Sequence, residues 1–97
     1  MRDRADGSSV ATIVGEFALE LFHRIGDADS ARLRRYISEK GLLEQVRFRN
    51  VAFSEAERDF TSRGGRSLPA IWDGEALFEG SAAAIARLEA FLQSRAR

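Results

Sequence analysis

Residues 23–30, His-Arg-Ile-Gly-Asp-Ala-Asp-Ser, gather most of the side chains in this chain that could do chemistry. His23 is the single histidine, Asp27 and Asp29 are carboxylates, and Ser30 offers a hydroxyl. A serine nucleophile needs a base within hydrogen-bond reach and a third group to orient that base. His23 stands well before Ser30, near the end of an apolar run, and the spacing holds no evident relay. His23 and Asp27 together also fall short of the three protein ligands that a metal site usually needs. The structural reading is plainer. Ahead of residues 31–40, aspartate and serine oxygens accept bonds from the free amides of a helix start, and a carboxylate complements the dipole there. No catalytic residue and no metal ligand is therefore assigned. The chain has no cysteine, which removes disulfides, zinc-thiolate sites and thiol nucleophiles together.

The elements that would position these groups follow from periodicity. Residues 17–22, Phe-Ala-Leu-Glu-Leu-Phe, barely alternate, as a central strand buried on both faces would. Val10 to Val14 is β-branched and apolar, and reads as an extra edge strand or as the start of the same one. In residues 31–40, Leu33, Tyr36 and Ile37 share one helical face, and Gly41 is a natural stop. Residues 44–53 read as a strand whose apolar phase changes near Asn50. Ser54-Glu-Ala-Glu57 has the capping-box pattern for a short second helix ending at Gly64-Gly65. Asp73-Gly74 predicts a two-residue hairpin. Ser81 is expected to cap a last helix with Ile85, Leu88, Phe91 and Leu92 as its apolar stripe. The order β-α-β-α-β-β-α results. A connection that contains a helix joins parallel strands and a two-residue turn joins antiparallel ones, so the sheet is mixed, with helices on both faces.

Composition narrows the function. Ninety-seven residues make one domain, here 10–97 behind a polar lead at 1–9 that reads as disordered. Fifteen basic and fifteen acidic residues leave no net charge, so nucleic acid and anionic membranes are not expected partners. No apolar run approaches the ~20 residues of a membrane span, and the N-terminus has no signal-peptide core, so a cytoplasmic protein is expected. Fourteen arginines against one lysine suit a bacterial, GC-rich genome. Arg32, Arg34 and Arg35 read as a solvated outer face of the first helix. Ile71, Trp72 and Phe78 read as core.

From Phe17 to Leu92 the chain resembles a glutaredoxin, and also the N-terminal domain of a glutathione transferase. Residues 22–41 match the glutaredoxin strand end, active-site loop and first helix without a gap, down to Glu39-Lys40-Gly41. Residues 67–81, from Ser67-Leu68-Pro69 through Asp73-Gly74 to Gly80-Ser81, match the C-terminal half of the same thioredoxin-like fold. The resemblance implies a four-stranded mixed sheet flanked by three helices, with Pro69 in cis. It puts Asp27 and Ser30 where the family has its two cysteines. It puts Arg24 where a cation meets the glycine carboxylate of glutathione, and Arg66 where a basic residue precedes the proline loop. Ser81 then stands where the γ-glutamyl carboxylate is held, while Ala82 and Ala83 replace the two aspartates that take its amino group.

A non-catalytic glutaredoxin-like domain follows as the leading expectation, one that binds a protein or peptide and has no thiol redox activity. Its binding surface would be built from His23, Arg24, Asp27, Ser30, Arg66, Leu68, Pro69 and Ser81, with no cofactor. The alternative is a glutathione-binding or glutathione-dependent, transferase-like protein in which glutathione supplies the thiol.

Overall fold

The computed structural model describes residues 17–95; the expected lead at 1–9 and the expected extra strand at 10–14 lie outside the described residues. Along the chain run β1 (Leu19–His23), α1 (Ala28–Glu39), β2 (Val46–Asn50), α2 (Ser54–Ser62), β3 (Ala70–Trp72), β4 (Leu77–Glu79) and α3 (Ser81–Arg95). The strands form one mixed sheet in the order β2-β1-β3-β4. β1 is parallel to β2 and antiparallel to β3, and β3 is antiparallel to β4. This is the expected element order, and the layout is thioredoxin-like.

Alternation along the strands divides the core between the two faces of the sheet. Leu19, Leu21, Val46 and Ile71 point to one face, where Leu33 and Ile37 of α1 and Ala84 and Leu88 of α3 bury them. Phe22 and Ala70 point to the other, where Ala56 and Phe60 of α2 cover them. β1 is central, and burial on both faces explains why its residues barely alternate, with only Glu20 breaking the apolar stretch from Phe17 to Phe22. Ile71 is buried, and Phe78 and Trp72 pack half-buried on opposite faces.

Three local expectations are corrected. Asn50 Oδ1 accepts from the Ala52 amide, and Phe53 N–H donates to Asn50 O at 3.0 Å, so the chain turns into α2 one residue early. Phe53 becomes the cap, Ser54 is the first helical residue, and the Ser54/Glu57 capping box does not form. In the hairpin, Asp73 N–H donates to Ala76 O, which leaves Gly74-Glu75 as the two-residue loop. Gly74 takes φ of 100°, as a glycine in the first loop position allows, while Asp73 Oδ1 accepts from the amides of Glu75 and Ala76. At α3, Gly80 O accepts from Ala84 N–H, so Gly80 holds the cap position and Ser81 lies inside the first turn.

α2 is only nine residues long, and polar contacts help to fix it on the sheet. Arg49 of β2 is 6% exposed and donates to Glu20 of β1 at 2.6 Å and to Asp59 of α2 at 2.7 Å. Arg63, just past α2, reaches the same Glu20 oxygen at 3.2 Å and lies over the Trp72 ring. Arg49 also stacks on Phe22, which packs against Phe60 with ring centroids 5.3 Å apart. Removing a buried charge strands its partners. Arg49→Ala is therefore expected to cost about 3–5 kcal/mol, measured as the loss of unfolding free energy in urea. Arg49→Met, which restores volume, should recover part of that loss.

Candidate functional site

The loop after β1 is built by hydrogen bonds between its own residues. Asp27 caps α1, its Oδ2 accepting from Ser30 N–H at 2.8 Å, while Ser30 Oγ accepts from Arg24 N–H at 3.1 Å. Gly26 supplies the positive φ of 94° that lets the chain double back between them. The Ser30 hydrogen bonds hold the Asp27 carboxyl below its ordinary pKa, so it stays ionised at neutral pH. Ser30 is fully buried.

On the other side of the site the Leu68–Pro69 bond is cis, as the resemblance implies. Pro69 O accepts from Gly80 N–H at 2.8 Å, and Glu79 Oε1 accepts from the amides of both Arg66 and Ser67. The loop backbone is thus tied down on both sides of Leu68. Leu68 N–H and C=O themselves have no hydrogen-bond partner among the described residues.

Between these two loops lies a cleft of about 300 Å³ lined by Arg24, Asp27, Val51, Glu57, Phe60, Thr61, Gly65, Arg66 and Leu68. It brings together four of the eight residues expected at the surface: Arg24, Asp27, Arg66 and Leu68. The other four lie elsewhere. Ser30 and Pro69 are buried. His23 is turned into the protein, 5% exposed. Ser81 Oγ is buried at the start of α3, with no hydrogen-bond partner among the described residues. The contribution of α2, from Glu57, Phe60 and Thr61, was not expected from sequence. Their spacing of three and four residues puts them on one helical face, and that was the available signal.

His23 also corrects the reading of the arginines. Arg34 is half-buried rather than part of a solvated face: its Nη1 donates to His23 Nδ1 at 3.0 Å and to Arg24 O at 3.4 Å. Arg32 and Arg35 are exposed. Since arginine only donates, His23 Nδ1 accepts and the ring is held neutral, edge-on to Phe48. Burial first, and the Arg34 charge second, lower the His23 pKa below its ordinary value. Among the described residues, no group of three or more His, Asp or Glu gathers as a metal site would require. No helix among them is long and apolar enough to cross a membrane.

No family model, no curated protein and no solved structure matches the chain.

A buried histidine with a lowered pKa makes stability depend on pH in a defined direction. The unfolded chain takes up the proton near pH 6.5 and the folded one only below that. His23 therefore contributes its full stability above about pH 6.5, and the contribution is lost as pH falls from there through the folded pKa. The urea midpoint should drop over that window in the native protein, and His23→Gln should flatten the drop.

Proposed function

We propose that this chain is a glutaredoxin-like binding domain that holds an extended segment of a protein or peptide and carries out no thiol chemistry. The observation that carries this reading is the backbone of Leu68 at the wall of the cleft, which has no hydrogen-bond partner among the described residues. An N–H and a C=O on one residue, fixed by bonded neighbours, are what an extended chain needs to add as a further strand. Main-chain pairing gives affinity there, and the surrounding side chains give selectivity. The cleft lies beyond the C-terminal ends of the parallel strands β1 and β2, where open α/β sheets collect ligands. No cysteine exists to attack a disulfide, and the Asp27 carboxylate at the helix start keeps a negative charge without a nucleophilic sulfur. A bacterial, cytoplasmic setting belongs to the same proposal.

Panning a random peptide-display library on the purified domain should recover binders. In the free, isotope-labelled protein the Leu68 amide should exchange quickly with solvent, and a saturating recovered peptide should slow it at least tenfold, equivalent to about 1.4 kcal/mol. Unchanged exchange at Leu68 under saturation would move the binding site elsewhere.

A second reading, glutathione as ligand, is favoured by Arg24 and Arg66 in the cleft and by the unpartnered Ser81 Oγ at the start of α3. Ala82 and Ala83 leave the glutathione amino group without a carboxylate at the matching positions. Binding at about millimolar or weaker, roughly −4 kcal/mol, is therefore expected by calorimetry. A micromolar signal that disappears in Arg24→Ala/Ser81→Ala would make this the leading reading.

A further inference from the structure

The cleft has a small apolar floor, mostly covered, within a larger polar and charged rim, and the two together specify more than an extended backbone. Val51, Phe60 and Leu68 supply apolar surface. Gly65 lies so close to the Phe60 ring that any Cβ at that position would run into it, so a bare backbone and a flat aromatic face line the cleft there. Around this floor stand Arg24, Arg66 and Glu57, from the β1–α1 loop, the loop before β3 and α2 respectively.

These three charges differ from their neighbours. Arg49, Arg63 and Arg87 are each ion-paired, to Glu20, Asp59 or Asp73. Among the described residues Arg24, Arg66 and Glu57 have no ion-pair partner within the protein. Asp27, the fourth charge on the cleft, has an oxygen committed to the Ser30 amide. Two cations and one anion without an ion-pair partner among the described residues, Arg24 having the Asp27 carboxylate nearby, thus line a space of about 300 Å³, room for a large side chain and its flanking backbone.

We infer that the segment held in this cleft carries one apolar residue with an acidic residue near it to meet Arg24 and Arg66 and a basic residue to meet Glu57. The inference rests on the peptide-binding reading and adds its side-chain selectivity. A nucleic-acid strand does not fit the same rim, because Asp27 and Glu57 would face its phosphates. Charges at such a rim select partners more than they add affinity.

The test compares peptide pools panned on the wild-type domain, Arg66→Glu and Glu57→Arg. Both positions are exposed, and circular dichroism checks that each variant keeps its fold. The wild-type pool should be enriched in an apolar residue accompanied by both an acidic and a basic residue. Arg66→Glu should lose the acidic preference and weaken the best wild-type peptide about threefold to fivefold, while Glu57→Arg should lose the basic one. Arg66→Lys should retain the acidic preference. Peptides that protect the Leu68 amide yet show the same charge preference on all the variants would overturn this inference and leave the binding function standing. If no pool can be recovered from the wild-type domain, both fall.

Discussion

Arg49 reaches from β2 beneath α2 to the carboxylates of Glu20 and Asp59, and the position of α2 on the sheet is tied to that reach. The helix buries only Ala56 and Phe60, a small apolar contribution for an element that must hold one wall of a cleft. A guanidinium can do what another leucine could not. Its planar fork satisfies two carboxylates on different elements at once, while its flat face lies on Phe22. Arg63 repeats the arrangement over Trp72 and returns to Glu20, so two arginines and two carboxylates form one connected set. The Arg49 hydrogen bond, ahead of the nearby arginine charges, holds the Asp59 carboxyl below its ordinary pKa, which keeps that carboxylate ionised at neutral pH. Glu57, Phe60 and Thr61 face the cleft because Asp59 is fixed between them.

The opposite wall depends on a different economy of hydrogen bonds. Glu79 accepts from two successive amides, and Pro69 O from Gly80, so the loop before β3 is ordered without using Leu68. Buried backbone groups are nearly always paired, and a pair left over on an otherwise satisfied loop is a feature of the surface it creates. Arg34 plays a comparable part behind the β1–α1 loop, joining the buried His23 ring to Arg24 O. The pH sensitivity of His23 is therefore placed directly behind the loop that presents Arg24 to the cleft.

Much of this architecture was legible in the sequence because it is written in short-range signals. The apolar stretch that runs into β1, broken only by Glu20, the Asp27 cap, the Gly41 stop and the turn signals that give the β-α-β-α-β-β-α order all act over a few residues. The misplacements at Ser54, at Asp73-Gly74 and at Ser81 share one cause. In each, a neighbouring residue reached a backbone partner first: the Asn50 amide oxygen, the Asp73 carboxylate, and the Gly80 carbonyl. The site was half legible. Arg24, Asp27, Arg66 and Leu68 were found on two loops, whereas the α2 wall and the Arg49 cluster were not. Glu20, Arg49 and Asp59 lie on three different elements, and no periodicity links residues that meet only once β1, β2 and α2 have packed together.

Asp27 and Ser30 stand where the resemblance would put two cysteines, and their geometry bears on why a binding reading is preferred to a chemical one. A helix start favours negative charge, whether thiolate or carboxylate. In this chain the carboxylate accepts the Ser30 amide and the serine hydroxyl accepts the Arg24 amide, so both side chains hold the loop in place. Ser30 is buried beneath that loop, without the approach that a nucleophile needs. A position that presents a reactive atom in an oxidoreductase here fixes the backbone that carries Arg24. On the proposed binding reading the tied-down loop would serve recognition: with the residues around Leu68 held opposite, both walls of the cleft are set before any partner arrives, and ordering them would add little to the entropic cost of binding.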